Sequence, residues 1–175
     1  SPIMEKGAPD LPKAVTSVVI PNLGGMGITV ISSSYTDYDN IMVAPSKGNF
    51  SRDIDPESVP YEYGTAFQQD KFYPDNLTGS RDPYIMRDFR GQTVIFYPVQ
   101  YNPVTKILRV YNEITIELNK ISDDGENQLF KSEPITSVDA EYSKIYPRHF
   151  LNFNAVQANR YDPVEEYGNF LIISY

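Results

Sequence analysis

Side chains that commonly do chemistry are scarce in this chain, and their spacing narrows its function. The single histidine, His149, sits between Arg148 and Phe150, just after Pro147. Nucleophilic catalysis needs a base beside a serine or cysteine nucleophile. There is no cysteine for His149 to activate and no Gly-x-Ser-x-Gly turn, so His149 reads as structural or merely exposed. Acidic pairs occur at Asp53 with Asp55, Asp123 with Asp124, and Glu165 with Glu166. A glycosidase needs two carboxylates facing across a cleft. These pairs lie in polar, turn-like stretches and read as solvated surface. The run Asp123-Asp124-Gly125-Glu126-Asn127 lacks the ligand spacing of a helix–loop–helix calcium site. Gly24-Gly25-Met26-Gly27 is a turn rather than a phosphate cradle, because no helix follows it. Asn49-Phe50-Ser51 and Asn76-Leu77-Thr78 match the N-glycosylation pattern, which chance often produces. The expectation is a segment with no catalytic residue, no metal site and no cofactor, whose work is binding.

Two arginines hold the remaining interest. Arg52 falls in the longest irregular segment of the folded part, Pro45 to Pro60. Loops longer than about 12–15 residues in compact domains are usually functional or disordered. A rigid β framework can hold such a loop out. A guanidinium there can enter an acidic pocket through a bidentate hydrogen-bonded pair. The competing reading is an exposed arginine neutralised by Asp53 and Asp55. Arg81, in the loop Asp75 to Pro83, is the runner-up, whereas Arg87 and Arg90 flank a strand and read as structural. Arg160 is the one basic residue of the polar stretch 157–166. Exposed, flexible segments of that kind are preferred sites of proteolysis. The competing reading there is an ordinary linker arginine.

The composition says what kind of framework positions these residues. A formal net charge of -8 argues against a nucleic-acid partner. No apolar run approaches the roughly 18 residues that a spanning helix requires. The absence of cysteine excludes disulfides and thiolate metal sites within this stretch. No signal peptide is visible, and an opening at Ser1-Pro2-Ile3-Met4 is compatible with one having been removed. With 14 Tyr, 9 Phe and 14 Pro against no Trp, the composition favours strands and breaks helices.

Read along the chain, Gly7 to Pro12 is a rigid, extended opening segment. Short strands are expected at Val15–Ile20, Gly27–Thr36, Ile41–Val43 and Tyr61–Phe67, with turn chemistry at Asn22–Gly25 and Asp39-Asn40. Thr93 to Tyr101, apolar on both faces, reads as one central strand. A turn at Asn102–Thr105 joins it to a half-buried strand in which Ile114, Ile116 and Leu118 alternate with Thr115, Glu117 and Asn119. Only 139–151 has helical spacing, with Asp139 as cap, Tyr142, Ile145 and Tyr146 on one face, and Pro147 cutting it short. The pattern predicts a mostly β, antiparallel sandwich or jelly-roll-like domain over 1–150. A processing linker over 151–168 follows. The stretch 169–175, Asn169-Phe170-Leu171-Ile172-Ile173-Ser174-Tyr175, reads as the first strand of another domain that is truncated here.

Several segments, taken in order, resemble the propeptides of gingipain-type cysteine endopeptidases. Lys6-Gly7-Ala8-Pro9-Asp10-Leu11-Pro12 and Val19-Ile20-Pro21 are similar to their start. Phe72-Tyr73-Pro74, Arg87-Asp88-Phe89-Arg90-Gly91-Gln92 and Val99-Gln100-Tyr101-Asn102-Pro103 are similar to later segments. Arg160-Tyr161-Asp162-Pro163-Val164-Glu165-Glu166 looks like the maturation site of the arginine-specific members, and Phe170-Leu171-Ile172-Ile173 like the first strand of their caspase-like α/β catalytic domain. The resemblance covers most of 6–120 and the last fifteen residues; 121–150 match no named segment.

The resemblance implies a secreted prodomain that helps its protease fold and keeps it latent, in a Gram-negative bacterium, exported through the periplasm by a type IX route to the medium or cell surface. It implies that a loop presents a basic residue to the protease's specificity pocket, here Arg52 with its neighbours Ser51 and Asp53. Cleavage would follow Arg160, leaving Tyr161 to begin the mature enzyme. The partner would be the caspase-like domain of the same precursor, which would carry the catalytic Cys and His. The exposed C-terminal strand could also pair with a second copy of the chain. An inactive precursor is a further alternative. A different class of function, a carbohydrate- or adhesion-type β-sandwich module, would use exposed Tyr and Phe to stack on sugar rings.

Overall fold

A computed structural model of the chain describes residues 1–131 and 138–157. The linker and strand expected beyond residue 157, including Arg160 and Tyr161, lie outside the described residues. The strands are β1 (Ala14–Val19), β2 (Gly25–Tyr38), β3 (Thr78–Ser80), β4 (Tyr84–Met86), β5 (Phe89–Phe96), β6 (Val99–Asn102) and β7 (Ile107–Ser122). Two helices, α1 (Ala140–His149) and α2 (Phe153–Gln157), come last. The mostly antiparallel β reading holds. The chain divides into two compact units.

The first unit comprises residues 1–15, 26–81 and 94–121. Its three-stranded sheet runs β2-β7-β6. The β6–β7 hairpin is in the expected place, with Asn102 opposite Ile107. The Asn102 side chain accepts from the backbone N–H groups of Val104 and Thr105, which is why this asparagine starts the turn. Alternation along β7 leaves Ile114, Ile116 and Leu118 half-buried between exposed neighbours. The expected central strand 93–101 is instead two strands. Pro98, which lacks an N–H, stands in the gap between β5 and β6. The polar loop 75–83 holds β3, which pairs with the end of β5 from Thr78 opposite Phe96 to Ser80 opposite Val94.

Two other expected strands are absent. Ile41–Val43 forms no ladder: the neighbouring pairing sets Pro9 against Pro45, and proline has no N–H to sustain the pattern. Residues 61–64 are irregular and Thr65–Gln68 is a 3₁₀ turn, because Gly64 donates to the carbonyl of Gly7 rather than to a strand partner. The opening segment folds back on itself, with Pro2 paired to Pro12 and the Ile3 N–H donating to Leu11. Ala8, Pro9, Leu11, Pro45 and Tyr101 are buried in this unit.

The second unit comprises residues 16–25, 82–93 and, of the described residues, 122–131 and 138–157. Here β4 pairs with the start of β5 across a two-residue turn, Arg87-Asp88, with Arg87 at φ 48°. The core is a set of rings: Phe89 lies 4.9 Å from Tyr146 and 5.4 Å from Phe153, both edge-on, with Phe150 and Val138 buried beside them. Edge-to-face arrangement suits the quadrupoles of such rings. Gly91 admits this packing, since a Cβ there would meet the Phe150 ring at 2.6 Å and the Tyr84 ring at 2.8 Å.

Asp139 caps α1 as expected, accepting from the Glu141 N–H. Two expectations for α1 fail. Pro147 lies inside the helix, which continues to His149, and Ile145 is exposed while Tyr146 is fully buried. Tyr142 and Tyr146, four residues apart, define the packed face. The α2 helix, in the stretch read as linker, contributes Phe153 to the core.

Arg90 is fully buried. It donates to the carbonyls of Pro21 (2.9 Å), Gly24 (2.8 Å) and Glu126 (2.6 Å). Burial pulls its pKa below the ordinary value. Its role is structural, as expected from its place beside a strand.

Truncating Phe150 to alanine should cost about 3–5 kcal/mol, the usual range for a buried ring, whereas Met42→Ala should stay within about 0.5 kcal/mol. Urea denaturation of the two variants measures the difference. Replacing Arg90 by methionine leaves three carbonyls unpaired, and should lower stability by at least about 3 kcal/mol.

Candidate functional site: a presented arginine turn

The segment 45–60 is irregular, as its sequence predicts, yet it is bonded at three levels. At its base, Ser46 donates its N–H to Ala8 (2.7 Å) and accepts from Gly7 (2.9 Å), and Asp10 donates to Ala44 (2.9 Å). Gly48, at φ 80°, turns the chain outward, and its N–H meets the Ser46 hydroxyl at 3.2 Å. In the middle, the Lys47 ammonium crosses the loop to the Pro56 carbonyl at 2.7 Å and lies 4.5 Å from the centre of the Tyr61 ring. At the tip, Ile54 donates to the Ser51 carbonyl at 3.1 Å, closing a β-turn with Arg52 and Asp53 as its two central residues.

The acidic neighbours of Arg52 are occupied elsewhere. The Ser51 hydroxyl donates to the Asp53 carboxylate and holds that carboxyl below its ordinary value. Asp55 accepts from the Glu57 N–H and caps a 3₁₀ turn over Pro56–Ser58. Arg52 is exposed and has no hydrogen-bond or ion-pair partner among the described residues. Neither carboxylate is bonded to Arg52 in this structure. The fold brings Ser51, Arg52 and Asp53 together as one turn.

Arg81 is placed differently. It is exposed directly after β3 and is already engaged in an interaction of its own. Arg160 and Tyr161 lie outside the described residues. His149 is exposed and meets the Tyr84 hydroxyl at 2.6 Å, far from any nucleophilic pairing with cysteine, which the chain lacks. Gly125 and Gln128 donate to the Asp124 carboxylate in the 123–127 turn. No cluster of metal-ligating side chains exists among the described residues. Asn49 and Asn76 are both exposed.

A shallow cleft of about 230 Å³ in the first unit is lined by Glu5, Thr65, Gln69, Lys71, Tyr73 and Asp75. Four of its polar groups are paired with one another: Tyr73 donates to Glu5 at 2.8 Å, and Lys71 meets Asp75 at 2.9 Å. The 2.8 Å contacts of Arg109 with both Asp37 oxygens, between the Tyr35 and Phe72 rings, went unseen in the sequence, where no spacing joins the four. Lys47 was missed for the same reason.

The fold and this loop define a class: an antiparallel β domain that holds out a basic turn and has no cysteine nucleophile. Comparison with known proteins gives the family. The Propeptide_C25 family profile matches residues 1–158, and the chain belongs to that family of gingipain propeptides. It is 41% identical over 167 residues to gingipain R1 of Porphyromonas gingivalis, covering 95% of this chain and 16% of that protein. It is 40% identical over 169 residues to gingipain R2 of the same organism, covering 95% and 22%. The chain thus spans less than a quarter of the curated relatives it matches. Among solved structures, it resembles the complex of Porphyromonas gingivalis RgpB pro- and mature domains, with a TM-score of 0.79 and 37% identity over 89% of this chain and 76% of that one. A structure bearing on zymogenic latency of gingipain K from the same organism matches with a TM-score of 0.57 and 27% identity, over 70% of each chain.

The Asp37–Arg109 pair gives a pH signature. Hydrogen bonding to Arg109 lowers the Asp37 carboxyl below its ordinary 3.8. Its stabilising contribution is complete above that value and is lost as pH falls through the depressed folded value. Urea midpoints measured from pH 5 down to pH 2.5 should fall in the wild type, with a shallower fall in Arg109→Gln.

Proposed function

We propose that this chain is the N-terminal prodomain of a secreted gingipain-type cysteine protease zymogen, which assists folding of the catalytic domain and keeps it latent. Arg52 is the inhibitory residue, entering the acidic specificity pocket of the caspase-like domain in the same precursor. The observation that carries this reading is the exposed Arg52 guanidinium, unpaired among the described residues, at the tip of a closed turn whose acids are engaged elsewhere. The RgpB complex of pro- and mature domains, to which the chain is similar, supports the choice of partner. Latency ends by cleavage after Arg160, with Tyr161 as the first residue of the mature enzyme. Residues 169–175 then belong to that enzyme's first strand and can pair with another copy of the chain when the enzyme is missing. The prodomain itself uses no cofactor, and the precursor travels through the periplasm by type IX secretion to the cell surface or beyond.

The purified chain should inhibit the mature catalytic domain of its own precursor at sub-micromolar concentration. Arg52→Ala should raise the inhibition constant about 100-fold, the scale of a buried arginine hot spot. Arg81→Ala should leave it within threefold. Equal inhibition by Arg52→Ala and the parent would remove Arg52 from its role. In the full precursor, Arg160→Gln should abolish the product that begins at Tyr161, as read by N-terminal sequencing.

A further inference from the structure

An arginine offered to an arginine-accepting protease faces a chemical problem: the same side chain marks a bond for cleavage. Hydrolysis would add water across the Arg52–Asp53 amide, leaving a carboxylate on Arg52 and an amine on Asp53. A protease that cuts a peptide needs several residues on either side in extended form. Here Arg52 and Asp53 are the central residues of a β-turn closed by the Ile54 N–H and the Ser51 carbonyl. The turn alone is a weak restraint, since a single exposed hydrogen bond contributes only about 1 kcal/mol. A second, charge-assisted bond crosses the loop, from the Lys47 ammonium to the Pro56 carbonyl at 2.7 Å. Lys47 is half-buried and lies over the Tyr61 ring, so its position is fixed from a second side. Its backbone follows Ser46, which is tied to Ala8 and Gly7. Pro56 opens the 3₁₀ turn that Asp55 caps, so the acceptor end is also anchored. Pulling Ser51 to Ile54 into extended form would separate 47 from 56.

We propose that Lys47 is a positioning residue that makes Arg52 an inhibitor rather than a cleavage site, by bridging the base of the loop to Pro56. The proposal rests on the inhibitory reading of Arg52, and its test separates the two. The chain carrying Lys47→Met, which keeps the side-chain length and loses the donor, is incubated with the mature catalytic domain of its precursor. Two quantities are read: the initial inhibition constant, and the rate at which a fragment ending at Arg52 appears by intact mass spectrometry. The expected result is an inhibition constant within threefold of the parent, with cleavage after Arg52 at least tenfold faster. Lys47→Arg, which can still donate to the carbonyl, should restore resistance. A Lys47→Met variant that resists cleavage as well as the parent overturns the strut. Loss of inhibition on Arg52→Ala alongside such resistance would leave the inhibitory reading standing without it. Unchanged inhibition by Arg52→Ala would defeat that reading instead. Amide hydrogen exchange of the free chain reads the strut without any protease: exchange of the Ile54 amide should speed at least tenfold in Lys47→Met, with the Phe89 to Phe96 amides unchanged. Equal exchange at Ile54 would also count against the strut.

Discussion

A guanidinium buried without a carboxylate is a severe constraint on a fold. Charged groups taken from water cost several kcal/mol unless every donor finds a partner. Arg90 meets most of that demand with backbone carbonyls alone, from Pro21, Gly24 and Glu126, while its Nε has no partner among the described residues. Two segments distant in sequence, 21–24 and the one carrying Glu126, must therefore converge on one side chain before it can be buried. The Arg90 carbonyl in turn accepts from Ile20, which ties the end of β1 to the same strand. Around this point the second unit lays its other bonds. Asn152 stands in for a strand neighbour, accepting from the Val19 N–H and donating to the Val19 carbonyl. Arg87 reaches Asp139 at the start of α1 and lies over Tyr142.

The first unit solves a different problem, that of holding an irregular segment still. Prolines at 9 and 45 are buried opposite each other, and the backbone bonds on either side supply what prolines cannot. From that base the loop is held by a lysine, a capped 3₁₀ turn and a serine–aspartate pair, all local and mostly polar. Such devices fix geometry while adding little stability, since exposed polar bonds contribute modestly. A loop of this kind suits recognition, because ordering entropy is met before the partner arrives.

Much of the β character was legible because aromatic and β-branched residues, interrupted by proline, leave few alternatives. Alternation predicted β7, and Asn102-Pro103 predicted its hairpin. The errors have physical causes. The strand 93–101 was read as continuous because apolar content masked Pro98 as a break. Pro147 was read as a stop, although a helix of ten residues carried it. Ile41–Val43 looked like a strand because periodicity cannot show that the neighbour is proline-rich. Of the site, the arginine and its loop were visible as an irregular stretch carrying a single arginine. The occupation of Asp53 and Asp55, and the reach of Lys47 to Pro56, depend on backbone directions that sequence does not encode locally.

The ring cluster has a temporal meaning. Phe89 and Val19 are synthesised early, yet the rings that cover them, Tyr146, Phe150 and Phe153, lie in the last two helices. Contacts so distant in sequence form slowly, and a folding chain exposes their apolar partners in the meantime. The second unit can close only once α2 is in place. The stretch around Phe153 therefore sets when folding of this unit is complete, and a chain that has yet to dock it keeps an open, adhesive core.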